Sequence, residues 1–170
     1  MTLRPPQPLA AHHDVADFAS GEDILDAWLR RRALANQASG ASRTFVVCDE
    51  SDTVAAFYSL SAGAVSPAIT PGRFRRHMPD PIPIVLLGRL AVDRRHQGQG
   101  LSRALLRDAL ERVLQASSVI GVRGLVVQAL SPAARDLYLH LGFTASPDDD
   151  LLLMITLADA VAAMGPSSRT

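Results

Sequence analysis

The chain has 170 residues, 48% hydrophobic and 20% charged, with 17 basic side chains balancing 17 acidic ones; the length fits about one domain spanning residues 1–170, and the composition excludes disordered, collagen-like and coiled-coil classes. No apolar run approaches the ~18 residues of a bilayer span, residues 1–6 lack a secretory signal's apolar stretch, and a lone cysteine, Cys48, can neither close an internal disulfide nor build a zinc cluster. These features predict a cytoplasmic protein with no membrane contact and no metal, in which Cys48 is a small core residue.

In chain order, the first predicted element is a helix over residues 22–38, because Ile24, Leu25, Trp28 and Leu29 recur at helical spacing after Ser20-Gly21. Its polar face carries Arg30, Arg31 and Arg32, and the residues from Asn36 to Gly40 end the pattern. Two strands follow, over 43–48 and 53–60, with Asp49-Glu50-Ser51-Asp52 as the hairpin turn. Residues 61–83, rich in Gly, Pro and Arg, read as a long irregular connection of the kind that is functional or mobile in compact domains. The near-continuous apolar run 84–92 predicts a strand buried on both faces, interrupted by Arg89.

That strand leads through Asp93-Arg94-Arg95-His96-Gln97-Gly98-Gln99-Gly100 into an apolar helix. Leu101, Leu105 and Ala109 form one of its stripes, and Leu106, Leu110 and Leu114 another. A strand over 124–130, a helix over 132–141 with Ser131 as N-cap and Pro132 at its first position, and a strand over 151–157 complete the pattern. Residues 165–170 are expected to fray. The element order predicts an α/β or α+β fold, a central mixed β-sheet flanked by helices.

Charge is segregated although it balances overall. Residues 1–27 carry one Arg against five acids, residues 28–47 four Arg and no acid, and residues 73–95 six Arg against two Asp. Every basic residue is Arg; the chain contains no Lys. Within the strand and turn, Gly98 and Gly100 let the backbone turn tightly with its N–H groups on one side. The helix N-terminus behind them favours a phosphate or pyrophosphate. The turn is neither a P-loop, lacking Gly-Lys-Ser/Thr, nor a Rossmann turn, lacking the third glycine. Asp93 reads as a turn or capping residue, and His12, His13, His77, His96 and His140 show no metal-ligand spacing.

Arg95-His96-Gln97-Gly98-Gln99-Gly100 resembles the R/Q-x-x-G-x-G/A acetyl-CoA signature of the GNAT acetyltransferases, and Leu137-Tyr138-Leu139-His140-Leu141-Gly142-Phe143 resembles their Y-x-x-x-G-F segment. More narrowly, Ile24-Leu25-Asp26-Ala27-Trp28-Leu29, Asn36-Gln37, Gly40-Ala41-Ser42-Arg43-Thr44, and Arg73-Phe74-Arg75-Arg76 before Ile82-Pro83 resemble the TacT-like GNAT toxins of toxin-antitoxin operons, over residues 18–160. Two departures are Ser102, where Gly commonly stands, and Ala19-Ser20-Gly21, where Cys is expected before the Gly.

The resemblance implies a GNAT fold with acetyl-CoA as co-substrate, and transfer of acetyl to the α-amine of aminoacyl-tRNA, which blocks translation. It also implies a ribbon-helix-helix antitoxin, through which alone operator DNA is met. By position, backbone groups of Leu90, Ala91 and Val92 would pair with the pantetheine arm and polarise the thioester. Gln97, Gly98, Gly100, Leu101 and Ser102 would hold the pyrophosphate, and Tyr138 would protonate the departing thiolate. Read without the resemblance, Tyr138 is an amphipathic-helix residue with its ring in the core.

The residues also bear on the acceptor. A lysine amine of pKa ~10.4 costs roughly 4.6 kcal/mol to deprotonate at pH 7, an α-amine of pKa ~7.7–8.0 only about 1–1.4 kcal/mol. Residues 84–92 hold no Asp or Glu to serve as the strong base a lysine acceptor needs. Arg30, Arg31, Arg32, Arg73, Arg75, Arg76 and Arg89 are the candidate phosphate-tracking residues for tRNA, with a paired structural ion as the other reading of Arg89. An acetyltransferase of small amines or protein N-termini, and a non-catalytic acyl-CoA-binding partner of a repressor, remain as alternatives; Tyr138 argues against the second and the arginines against a small amine. The sequence specifies neither the tRNA species nor whether the chain forms a homodimer.

Overall fold

Leu25 and Leu29 place an apolar stripe on the first helix, and the structure, a computed structural model describing residues 2–165, buries it. The expected fraying at 165–170 lies, Gly165 apart, outside the described residues. The strands are β1 (Gln7–Pro8), β2 (Arg43–Cys48), β3 (Val54–Val65), β4 (Ile82–Val92), β5 (Gly124–Gln128), β6 (Thr144–Ala145) and β7 (Leu152–Thr156). The helices are α1 (Asp23–Arg31), α2 (Ala33–Ser39), α3 (Gly72–Arg75), α4 (Leu101–Ala116), α5 (Pro132–His140) and α6 (Leu157–Met164). The strands form a mixed sheet in the order β1-β2-β3-β4-β5-β7-β6, in which β4 and β5 are parallel. The chain divides into two compact units: residues up to Ser61 with Gly88–Ala109, and Ala62–Leu87 with the residues from Leu110 on. No helix of the described residues is long and apolar enough to cross a membrane.

In the first unit, Leu25, Leu29 and Ala33 pack with Leu9, Phe18, Val46, Cys48, Val54, Phe57 and Ala91; each large apolar side chain so buried contributes about 1.5–3 kcal/mol. The single helix expected over 22–38 is two, divided at Arg32, whose φ of −122° leaves the helical range. No proline or glycine marks that division. Ala33, four residues beyond Leu29, stays on the buried stripe across the division. The β2–β3 hairpin is antiparallel from Arg43↔Leu60 to Cys48↔Val54. Its turn closes because Asp49 Oδ1 accepts from the N–H groups of Ser51 (2.8 Å) and Thr53 (3.1 Å). Cys48 is fully buried, and burial pushes its thiol pKa up to about 11, so it is an inert core residue.

In the second unit, Phe74, Ile82, Ile84, Val126 and Met154 form the core. The irregular connection expected over 61–83 holds more order than that: β3 runs on to Val65, a 3-10 turn covers Pro67–Ile69, and α3 follows. Arg123 pins α3, with Nε donating to Phe74 O and Nη2 to Arg73 O, both at 2.8 Å. β5 pairs antiparallel with β7 from Gly124↔Thr156 to Gln128↔Leu152. Ser131 caps α5 as expected, its Oγ accepting from Ala134 N–H at 3.2 Å. β1, β6 and α6 have no counterpart in the sequence reading.

The strand expected to be buried on both faces is so only in part. In β4, Gly88 is exposed and Val85, Leu86, Arg89 and Leu90 are half-buried. In α4 the buried positions are Leu105, Leu106, Ala109, Leu110 and Val113, while Leu101 and Leu114 are half-buried.

Candidate active site

The site is built on the C-terminal half of β4. Pairing with β5 covers Val85–Leu87 and stops at Leu87↔Val127. The backbone of Leu90, Ala91 and Val92 therefore lies on a stretch of β4 beyond its pairing with β5, where main-chain polar groups can serve a ligand. Asp93, 1% exposed, ends the strand. Its carboxylate accepts from the N–H of Ala19 (3.0 Å), the N–H of Arg95 (2.9 Å) and Arg95 Nε (2.9 Å). Burial alone would raise its pKa, but the bonds from Arg95 and Ala19 outweigh burial and hold it at about 2. Asp93 is thus the turn residue the sequence suggested.

After a 3-10 turn at Arg94–His96, Gln97 Nε2 donates to Ser20 O (2.8 Å) and Val92 O (2.9 Å). The Gln97 side chain is spent on bracing the turn, which leaves its backbone for a ligand. Gly98 and Gly100 have φ of +78° and +80°, and a Cβ on either would meet no protein atom within 4 Å. Their backbone conformation selects glycine, and open space lies in front of both. Leu101 and Ser102 begin the 16-residue α4, whose first-turn N–H groups lack helical partners. Two open glycine positions leading into the positive end of a helix fit the oxygens of a pyrophosphate.

The arginines fall into two groups. Arg30 Nη1 donates to Phe18 O at 2.7 Å, and the Arg89 guanidinium lies 4.1 Å from the centroid of the Trp28 ring, which stacks on Phe57. Burial lowers the Arg89 pKa, and the aromatic face partly replaces the lost water. In the second unit, Arg73 clasps Asp159 through Nε (2.9 Å) and Nη2 (2.6 Å), and Arg75 Nη1 donates to Thr70 O at 2.5 Å. Arg31, Arg32 and Arg76 are exposed and make no side-chain hydrogen bond or ion pair among the described residues.

Tyr138 lies in α5, 5% exposed, with its ring 5.5 Å from that of Phe143. Its hydroxyl makes no hydrogen bond among the described residues, and burial pushes its pKa up to about 12. It therefore keeps its proton at neutral pH, as a proton donor must. The ring is also in the core, as the residue pattern alone suggested.

His12, His13 and Asp52 bring ligand atoms within 4.8 Å of one another, a grouping invisible in their spacing. Of these side chains, His13 Nδ1 accepts from Ala10 N–H (2.9 Å) and Asp52 Oδ1 pairs with Arg4 (2.8 Å), whereas His13 Nε2 is buried without a hydrogen-bond partner among the described residues. The sequence marks Asp26 and Trp28 only as part of the first helix and its resemblance, and gives Arg123 no role at all. A signal for Asp26 was present: a carboxylate between Leu25 and Leu29 on a buried stripe must be satisfied by nearby donors.

The end of β4 beyond its pairing with β5, followed by a braced glycine turn that opens a helix, suits an acyl-CoA-dependent transferase. Residues 40–145 match the acetyltransferase (GNAT) domain, and the chain belongs to that family. It is 50% identical, over 94% of its length and 96% of the relative's, to a tRNA-acetylating toxin of Mycobacterium tuberculosis (strain ATCC 25618 / H37Rv). Among solved structures it resembles AtaT complexed with acetyl-methionyl-tRNAfMet, with a TM-score of 0.85 and 29% identity over 92% of this chain and 96% of that one. It also resembles a mutant AtaT toxin bound to the C-terminus of the antitoxin AtaR and acetyl-CoA, with a TM-score of 0.79 and 27% identity over 94% and 96% of the two chains.

Proposed function

We propose that this chain is a toxin that transfers acetyl from acetyl-CoA to the α-amine of aminoacyl-tRNA, acting in the cytoplasm as one catalytic domain. A cognate ribbon-helix-helix antitoxin neutralises it and carries it to operator DNA. One observation carries the chemistry: Gly98 and Gly100, both at positive φ with open space before them, lead into the N-terminus of α4. The 50% identity to a protein named tRNA-acetylating toxin supports the acceptor.

In this reading, backbone groups of Leu90, Ala91 and Val92 hold the pantetheine arm and polarise the thioester carbonyl, and Gln97, Gly98, Gly100, Leu101 and Ser102 hold the pyrophosphate. The neutral α-amine attacks the carbonyl carbon and the C–S bond breaks. Tyr138 gives its hydroxyl proton to the departing sulfur, and the amine's surplus proton, passed through solvent, restores the Tyr138 hydroxyl. The absence of a carboxylate from residues 84–92 suits an amine that is largely deprotonated unaided. Arg31, Arg32 and Arg76 are the guanidiniums available to tRNA phosphates, while Arg30, Arg73, Arg75 and Arg89 chiefly hold the protein around them.

The test is single-turnover transfer of labelled acetyl to aminoacyl-tRNA, with the free amino acid as the competing acceptor. Equal rates on the two acceptors overturn the tRNA reading. In the Tyr138→Phe variant the rate should fall by about 10²–10⁴, as for loss of a general acid, with fold and acetyl-CoA affinity retained. A rate within about threefold of the parent chain, far from that range, removes Tyr138 from the role.

A further inference from the structure

Between β1 and α1 a short segment, Phe18-Ala19-Ser20-Gly21, is tied to the glycine turn and the strand end before it through Ala19 and Ser20. Ala19 N–H donates to Asp93 (3.0 Å), Arg94 N–H donates to Ala19 O (2.9 Å), and Gln97 Nε2 donates to Ser20 O (2.8 Å). The Arg94 guanidinium lies 3.4 Å from where a Cβ on Gly21 would stand. On its other side the same segment is tied to α1. Asp26, 4% exposed, accepts from Ser20 N–H with both oxygens (3.1 Å each) and from Ser20 Oγ (2.6 Å). Arg30 holds Phe18 O, as described above.

A buried carboxylate that spends both oxygens on one residue fixes that residue's position closely, because each bond to a charged acceptor is strong and directional. The residue so fixed is Ser20. Its carbonyl is one of two that hold the Gln97 amide; the other, Val92 O, belongs to β4. Moving Ser20 therefore releases one side of Gln97 and frees the backbone of the turn that follows.

We propose that Asp26 is a positioning residue for the acetyl-CoA turn: through Ser20 it sets the carbonyl that Gln97 grips, and so aims the backbone N–H groups of residues 97–100 at the pyrophosphate. This rests on the proposed acetyl-CoA site, and Asp26 itself touches no ligand. The segment also makes α1, which ends at Arg31 with Arg32 as its cap, mechanically continuous with the turn, so that the helix and the cofactor site share one brace.

The test is acetyl-CoA binding by calorimetry, with steady-state kinetics, on the full chain and its variants. Asp26→Ala should raise the acetyl-CoA Kd and KM about tenfold, the effect of losing one charge-assisted hydrogen bond, while kcat at saturating acetyl-CoA stays within about twofold. Asp26→Asn and Ser20→Ala, which keep part of the contact and preserve the fold should Asp26→Ala lose it, should show smaller increases in the same direction. In a double variant with Gln97→Ala, the Kd should be no higher than in Gln97→Ala alone, because both changes act through one contact. Amide hydrogen exchange should quicken at residues 97–102 in Asp26→Ala and stay unchanged in β5. An acetyl-CoA Kd within twofold of the parent in a folded Asp26 variant overturns the proposal, as do multiplicative losses in the double variant. A parent chain that binds no acetyl-CoA overturns the proposed function itself, and this inference with it.

Discussion

Replacing Gly98 by valine separates the protein's use of that glycine from the ligand's. At φ of +78° a β-branched residue costs about 1–2 kcal/mol, and no protein atom lies within 4 Å of the new Cβ to add a clash. For a chain of this size that cost lowers Tm by about 2–8 °C, leaving a folded protein. The valine side chain enters the open space before the turn, where it keeps phosphate oxygens from the backbone N–H groups. Losing two hydrogen bonds to a charged partner costs about 3–6 kcal/mol, or roughly 10²–10⁴ in acetyl-CoA affinity. Calorimetric titration with acetyl-CoA, paired with thermal unfolding, reads both effects. Gly121→Val is the control, since Gly121 has no positive φ and equal space around it, and its affinity should match the parent. A folded Gly98→Val variant with unchanged acetyl-CoA affinity would refute the assignment of the turn.

The Asp93 brace makes a prediction about pH. The difference between 3.8 and about 2 is worth roughly 2 kcal/mol at 1.36 kcal/mol per pH unit; because the folded-state value is the lower one, this stabilisation is present above pH 3.8 and is lost as pH falls through about 2. Asp93→Asn should therefore be about 2 kcal/mol less stable than the parent in urea unfolding at pH 7, with the gap closing as pH falls from 4 towards 2; a gap independent of pH contradicts the brace. The arginines predict a division by salt. Transfer to aminoacyl-tRNA should weaken steeply from ~50 to ~200 mM salt, and Arg31→Ala, Arg32→Ala or Arg76→Ala should each flatten the slope by about 0.7–0.9, whereas Arg73→Ala, which breaks the Asp159 clasp, should chiefly lower stability. Equal salt slopes in all these variants count against tRNA tracking by the exposed arginines.

The turn and α4 were legible because their signals are local. Glycines two apart after an apolar strand, followed by leucines at helical spacing, need no distant partner to be read. The division of α1 from α2 at Arg32 was not legible, because helix propensity and the spacing of Leu25, Leu29 and Ala33 both continue through it. α3 is a single turn, too short for any periodicity, and is held by Arg123 and Asp159 from far along the chain. The same holds at the site. Gly98 and Gly100 announce themselves by type, whereas the bracing roles of Asp26, Asp93 and the Gln97 amide depend on where residues 18–21 come to lie. The seven candidate arginines looked alike in sequence, and only their contacts, hydrogen bonds for Arg30, Arg73 and Arg75 and the Trp28 ring for Arg89, distinguish those tied to the protein from those left to solvent.

The first unit takes its sequence from two separated stretches, and this bears on how the chain is made. When Ser61 leaves the ribosome, Leu29, Val46 and Phe57 exist, yet Ala91, which packs in their cluster, has not been synthesised. Making residues 62–109 takes ~2–10 s at ~5–20 residues per second. The strand end that completes this core is continuous with the glycine turn, so the residues that close the interior and those of the proposed acetyl-CoA turn are synthesised together. A translation product ending at Leu87 has neither, and one ending at Ala109 has both but lacks Tyr138. In the proposed mechanism the transfer step thus waits for Tyr138, in the last third of the chain, after the proposed acetyl-CoA turn has been made.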